Sequence, residues 1–286
     1  PSLPRLYYVT TGLEEPNAFQ TWSAVLSPLF EPRPYGPSGK TPTGSAAGVI
    51  IGDLLIARVT FNAQNFLRDE QRIRATPDHI LFHLYTSGGF NGVINRQRTV
   101  IGPGKVAVID LAHGVDTRAF ASDTLSLIVP RTLLGDLPLE AFRPRLDPLR
   151  NGLLAAHIVA LRERSAQLRQ TDVESTVADT IGFLKGLLAP APEAPPAQET
   201  EADENVLALI EAGIRDNLAL PDLSPDWLAS KLEISRASLY RIFASRGGIM
   251  RYVQERRLLA VQAALSDPLE MRRLLRLSAD FGFKSE

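Results

Sequence analysis

The chain has 286 residues, and its 44% hydrophobic and 22% charged content is that of a globular protein of about two domains, not of a disordered chain, a collagen or a coiled-coil rod. Lys and Arg number 31 and Asp and Glu 32, so the net charge is −1, which argues against nucleic-acid binding over the whole surface but allows a local basic patch. There is no cysteine, which excludes disulfide frameworks, cysteine zinc sites, iron–sulfur clusters and thiol nucleophiles. No apolar run reaches the roughly 18 residues of a membrane-spanning helix. The opening Pro-Ser-Leu-Pro-Arg lacks the basic-then-apolar order of a signal peptide, so a cytoplasmic protein is expected. It also lacks Met, and the natural N-terminus is expected to have been trimmed or to lie upstream.

Residues 1 to about 130 are rich in Gly, Pro, Val, Ile and Thr and carry short alternating runs: Ile56–Phe61, Ile80–Tyr85, Gly92–Asn95, Lys105–Leu111 and Thr124–Val129. Ser87-Gly88-Gly89, Gly102-Pro103-Gly104 and Ala121-Ser122-Asp123 separate them as turns. This spacing predicts an antiparallel sandwich or barrel. From Asp147 the period changes. Leu149, Leu153, Leu154, His157, Ile158 and Leu161, then Val173, Val177, Ile181, Leu184 and Leu188, recur at helical spacing. Two amphipathic helices over 147–188 follow, as an αα-hairpin, with Thr171 or Asp172 capping the second.

Residues 189–204 hold four prolines and five acids with no basic residue, and are expected to be an extended linker. A helix over Val206–Leu218 comes next. Ser224 is an N-cap, Pro225 suits the first helical position and Asp226 meets the helix dipole. The helix Pro225–Leu232 turns Trp227, Leu228 and Leu232 inward, with the small Ala229 allowing close packing. After the turn Glu233-Ile234-Ser235, a second helix runs from Arg236 to about Ala244, capped by Ser235. Its stripe Leu239, Ile242 and Phe243 faces inward, leaving Arg236, Ala237, Tyr240 and Arg241 outside. A short helix, a tight turn and a second helix with a basic outer face make a helix-turn-helix, whose second helix enters the major groove of DNA.

Arg241 is the leading base reader, because its fork matches guanine O6 and N7. Tyr240 suits a phosphate or a thymine methyl, and Ala237 a thymine methyl. Arg236 and Arg246 suit phosphates. Between Ser235 and Arg276 nine arginines face three acids, a local balance of +6, so the electrostatic footprint is confined to this segment. An ordinary helical bundle with a solvated arginine face is the alternative.

Residues 206–286 resemble the DNA-binding domain of the AraC/XylS family of bacterial transcription regulators, in which two helix-turn-helix units are joined by a long helix. Ser235, Leu239, Arg241 and Phe243 stand as the family's Ser-x-x-x-Leu-x-Arg-x-Phe. Arg251-Tyr252-Val253, Arg257-Leu258 and Ala263-Ala264-Leu265 match the linking helix. Leu277-Ser278-Ala279-Asp280-Phe281-Gly282-Phe283 matches the start of the second unit, with Ser278 in place of the usual Ala. The family pattern continues past Glu286, so the second unit is incomplete in this chain. The N-terminal part is similar, more loosely, to the cupin-like effector domain of the XylS-like branch. Val100–Asp110 fits its glycine-turned strand pair, and Val129-Pro130-Arg131-Thr132-Leu133-Leu134 its exit.

The expected architecture is therefore α+β in two domains. A cupin-like effector domain spans 1–146, dimerisation helices 147–188, the linker 189–204 and a truncated double helix-turn-helix domain 205–286. The resemblance implies promoter DNA, RNA polymerase, a small-molecule effector and a second copy of the chain as partners, with activation as the output. No cofactor is expected.

A cupin metal site needs a His-x-His pair followed by Glu, which is absent. His79 and His83 share a strand face but lie about 13 Å apart at ~3.3 Å per residue, too far to bind one metal. His157 falls on the apolar side of a helix, as a core or interface histidine. There is no Gly-x-Ser-x-Gly, and Gly39-Lys40-Thr41 lacks the upstream glycine of a phosphate loop, so no enzymatic activity is expected. For an effector in the barrel mouth the candidates are Trp22, Arg58, Phe61, His83 and Tyr85, with Arg58 able to clamp a carboxylate. A small-molecule-binding cupin-like protein with an accessory helical domain acting as an adaptor is the alternative function.

Overall fold

A computed structural model describes residues 2–10, 12–35, 40–76, 78–135, 137–138, 142–189, 199–232, 234–265, 276 and 279–283, with the backbone alone for 199–205 and 245. The chain divides into two units, residues 1–205 and 206–286.

Two antiparallel sheets dominate the first unit. One has six strands in the order β1 (Arg5–Val9), β3 (Gly44–Ile51), β4 (Leu54–Phe61), β11 (Ser122–Pro130), β6 (His79–Ser87) and β9 (Val106–Asp110). The other has five, in the order β2 (Glu31–Pro34), β5 (Gln64–Arg68), β10 (Val115–Ala119), β7 (Phe90–Ile94) and β8 (Gln97–Ile101). Helix α1 (Asn17–Leu26) lies between β1 and β2 in the chain, and α2 (Glu70–Ala75) between β5 and β6. All five predicted runs fall on strands, in β4, β6, β7, β9 and β11, and the expected strand pair about Gly102-Pro103-Gly104 is β8 and β9, which lie in different sheets and do not pair; β1, β2, β3, β5 and β10 have no counterpart in the sequence reading.

Much of the six-stranded sheet, from β11 to β9, is buried on both faces, which explains strands such as Val106-Ala107-Val108-Ile109-Asp110 with no exposed position, whereas Tyr7 and Tyr8 on β1 and Arg58 on β4 are exposed. Alternation assigns the faces. On β6, Ile80, Phe82 and Leu84 belong to one core cluster, and Leu81 and Tyr85 to another between the sheets. The first cluster is covered by α4 (Pro148–Arg164) and α5 (Val173–Leu188), which follow the short α3 (Arg131–Leu134); Leu154, Ile158, Leu161, Ile181, Leu184 and Leu188 pack onto the sheet. Asn151 fastens α4 to the turn before β9: its Oδ1 accepts from the Val106 amide at 2.8 Å and its Nδ2 donates to the Gly104 carbonyl at 2.9 Å.

Two details depart from expectation. The helical stripe of α4 splits: Leu154, Ile158 and Leu161 are buried, whereas Leu149 and Leu153 are 73% and 49% exposed. Asp172 does not cap α5 with its side chain. It closes a 3-10 turn, Gln170–Asp172, by accepting from the Arg169 amide at 2.8 Å.

Of the expected turns, Ala121-Ser122-Asp123 is mostly strand, since β11 begins at Ser122; the others follow their chemistry. Gly104 closes the predicted Gly-Pro-Gly turn at φ +77°. The β7–β8 hairpin turns through Asn95 and Arg96, both at positive φ, as a two-residue loop requires. The Asn95 side chain then clips the hairpin to β9, donating to the Val108 carbonyl and accepting from the Asp110 amide.

Most of the predicted linker, 190–198, lies outside the described residues. Its acidic end, 199–204, is helical: α6 runs Glu199–Asp216, not Val206–Leu218. Glu and Ala are good helix formers, and acids at a helix start complement its dipole, so this end favours helix over linker. The second unit continues with α7 (Pro225–Leu232), α8 (Arg236–Phe243) and α9 (Ile249–Leu265).

Candidate functional site

Two places hold the predicted functional residues. The first is a cavity of about 340 Å³ between the two sheets. Trp22, Phe61, His83 and Tyr85 line it together, although they come from α1, β4 and β6. Trp22 is fully buried, and its indole Nε1 donates to Gln64 Oε1 at 2.8 Å. Gln64, itself buried, is oriented by donating from Nε2 to the Thr43 and Asn62 carbonyls. His83 and Tyr85 meet edge to face at 4.8 Å. On the neighbouring strand Ser126 lies in register with His83, and its Oγ is 2.8 Å from His83 Nδ1. Enclosure in an apolar space disfavours the imidazolium and lowers the His83 pKa to about 4, so the ring is neutral at pH 7. The same burial raises the Tyr85 phenol above its ordinary value. Exposed lining residues Tyr8, Ala24 and Pro28 place the mouth between β1, α1 and the turn that follows it.

Arg58 is not part of this site, contrary to expectation. Leu55, Ala57, Val59 and Phe61 on β4 line the cavity, so Arg58 points to the opposite face. There its guanidinium forms a bidentate pair with Asp123, with Nε 2.9 Å from Oδ1. Sequence reasoning also missed Ser126, Gln64 and Thr117. Ser126 had a signal, being a hydroxyl between Leu125 and Leu127 in the apolar half of β11.

His157 lies on α4, away from the cavity. It stacks on Phe183 at 4.5 Å, and its Nε2 is 3.3 Å from Thr180 Oγ1. Burial lowers its pKa too. Among the described residues no group of three or more metal-binding side chains converges, and no helix is long and apolar enough to cross a membrane.

The second place is the α7–α8 pair. Ser224 Oγ accepts from the Trp227 amide at 3.1 Å and Ser235 Oγ from the Ser238 amide at 3.0 Å, so both predicted N-caps are formed. Leu228, Ala229 and Leu232 on α7 and Leu239 and Phe243 on α8 are buried. Tyr252 of α9 packs against Phe243 at 5.1 Å. This packing leaves Arg236, Ala237, Tyr240 and Arg241 on the exposed face of α8. Arg236 Nε is paired with Asp226 Oδ1 at 2.8 Å and Arg246 Nη1 with Glu211 Oε1 at 2.7 Å. Both pairs are solvated, where such contacts contribute little, so a phosphate can replace the carboxylate.

Among the described residues of this segment, one arginine of the basic count is not on the surface. Arg257 is buried, and its guanidinium donates to the Leu218 and Leu220 carbonyls beyond the end of α6. Gly282 lies against it at φ +76°; a Cβ there would come within 2.7 Å of both the Leu218 oxygen and Arg257. The remainder of the expected second helix-turn-helix, including Leu277 and Ser278, and Arg272 and Arg273 lie outside the described residues.

No family model matches the chain. Among solved structures, the AraC-like transcriptional activator CuxR superposes with a TM-score of 0.59 over 96% of this chain and 100% of that one, at 24% identity. The chain therefore has the fold of an AraC-like activator. KdgF from Halomonas sp. aligns with 31% of this chain and 79% of its own at 18% identity, and its TM-score of 0.25 carries no argument.

Proposed function

We propose that the chain is a sequence-specific DNA-binding transcription regulator of the AraC type, an activator that responds to a small molecule held in the β-rich unit. The observation that carries this reading is the outer face of α8. A Ser-capped helix after a tight turn presents Arg236, Ala237, Tyr240 and Arg241 to solvent, in a chain whose fold is that of an AraC-like activator. Arg241 reads a guanine edge, and Ala237 and Tyr240 contact thymine methyls or backbone. Arg236 and Arg246 exchange their carboxylates for phosphates.

The cavity bounded by Trp22, Phe61, His83 and Tyr85 is the effector site in this reading, and the α4–α5 layer the dimer contact. An effector changes the output only if it binds one arrangement of the dimer better than the other. Contact with RNA polymerase follows from the resemblance to the family. No catalytic role is assigned to any residue.

The test is the variant Arg241→Ala, titrated by fluorescence anisotropy against an operator and its single-base substitutions. Loss of about 1–3 kcal/mol at one base position, with relaxed discrimination there, supports a base reader. Equal loss on every sequence makes Arg241 a phosphate contact.

A further inference from the structure

The cavity wall excludes a class of ligand. Its lining contains no Lys, Arg, Asp or Glu. The one cation on an adjacent stretch of β4, Arg58, is turned to the opposite face and held by Asp123. A carboxylate or phosphate entering the cavity would lose its hydration and gain no opposite charge, and an ammonium would meet no carboxylate. The wall is instead rich in rings: Trp22, Phe30, Phe61, Phe66, Tyr85 and Phe90. Several already pack edge to face, Phe61 on Phe66 at 5.0 Å and Phe30 on Phe66 at 5.8 Å, an arrangement that a further ring can extend.

Polar groups are few, and apart from Thr117 on β10 and Tyr8 at the mouth they are placed together. His83 and Ser126 occupy paired positions of β6 and β11, 2.8 Å apart, with Tyr85 beside the imidazole. A neutral imidazole and a hydroxyl can each donate or accept, so the pair suits one hydroxyl or carbonyl group of a ligand. Size bounds the rest. An apolar cavity of about 150 Å³ holds one benzene ring. At about 340 Å³ this one has room for about two fused rings with a short substituent.

We infer that the effector is an uncharged, largely aromatic molecule of about two rings, anchored through one hydroxyl or carbonyl by the His83–Ser126 pair. This rests on reading the cavity as the effector site.

The experiment uses the full chain at pH 7 and four probes that share one ring system. They are 2-naphthylmethanol (neutral), 2-naphthoate (anionic), 2-naphthylmethylammonium (cationic) and naphthalene (no polar group). Binding is followed by fluorescence titration. The expected result is saturable binding of the alcohol, more than about tenfold tighter than either ion, and abolished by Ala57→Phe, which fills the cavity from β4. Ser126→Ala keeps the cavity open and should weaken the alcohol several-fold without changing naphthalene.

An ion that binds as tightly as the alcohol overturns the ligand class. No saturable binding by any of the four at millimolar concentration, or binding indifferent to Ala57→Phe, overturns the site. An alcohol no weaker in Ser126→Ala overturns the anchor. Titration of the same preparation with promoter DNA separates the two readings. Probe binding without DNA affinity sinks the regulator reading alone; DNA affinity with a preference for the anion sinks the ligand class alone.

Discussion

His83 is held in a place where its charged form has no partner, and this has a measurable consequence. With a pKa of 6.5 in the unfolded chain and about 4 in the folded one, the unfolded chain binds the proton that the folded ring refuses. Stability contributed by the neutral ring is thus complete above the unfolded value, falls as pH drops through the window from about 6.5 to about 4, and changes no further below it, a total of about 3 kcal/mol. His157, also lowered by burial, adds in the same direction. Denaturation midpoints measured across this window should decline in the natural chain and decline less in His83→Phe; equal slopes would contradict the account. Gly44 gives a second expectation. A Cβ there would lie 2.5 Å from the Thr60 oxygen and 2.6 Å from the Trp22 ring. Gly44→Ala should destabilise by about 1–3 kcal/mol, read as a lower urea midpoint, and an unchanged midpoint would show that α1 gives way. Phe61, His83 and Tyr85 could be nominated from sequence because rings in short strands are commonly walls; Trp22 joins them from α1. The sequence reading nonetheless joined Arg58 to Phe61, three positions apart on one strand, a spacing that places them on opposite faces. Parity along β4 was available; which parity faced the cavity was not.

At the level of elements, local signals carried most of the information. Serine caps, a proline at the first helical position and the three- and four-residue spacing located α7 and α8 to within a residue. Periodicity also located α4 and α5, but not their partners. A stripe of apolar residues was expected to pair two helices, and most of it instead covers a sheet. What the sheet leaves over, Leu149 and Leu153, is one helical turn apart and solvent-facing. If α4 forms the dimer contact, Leu149→Glu combined with Leu153→Glu should convert a dimer to a folded monomer in sedimentation velocity, since neither side chain belongs to the protomer's core. A dimer that survives the pair, or a natural chain that is monomeric, would place the contact elsewhere or remove it. The boundary of α6 was misread because prolines and acids were treated as one compositional block. The acids at its end suit the start of a helix as well as they suit a linker.

The molecule combines two kinds of surface that the whole-chain composition conceals. A net charge of −1 averages an N-terminal unit with an uncharged cavity and a C-terminal unit with an exposed arginine face. Fold class could be read because runs of β-branched residues give way to helical periodicity near residue 147. The layering could be read only in part: the continuous apolar run of β9 marks a strand buried on both faces and the alternation of β10 a half-exposed one, but nothing local says which strands share a sheet. The central claim is that the second unit reads DNA sequence. It is tested most directly by fluorescence anisotropy on the fragment upstream of the protein's own coding sequence against a scrambled fragment, at two salt concentrations. The account predicts tighter binding to the native fragment, weakening steeply as salt rises because each phosphate contact displaces counterions. Absence of binding to either fragment at low salt would contradict it and favour a ligand-binding protein whose helical unit is an adaptor.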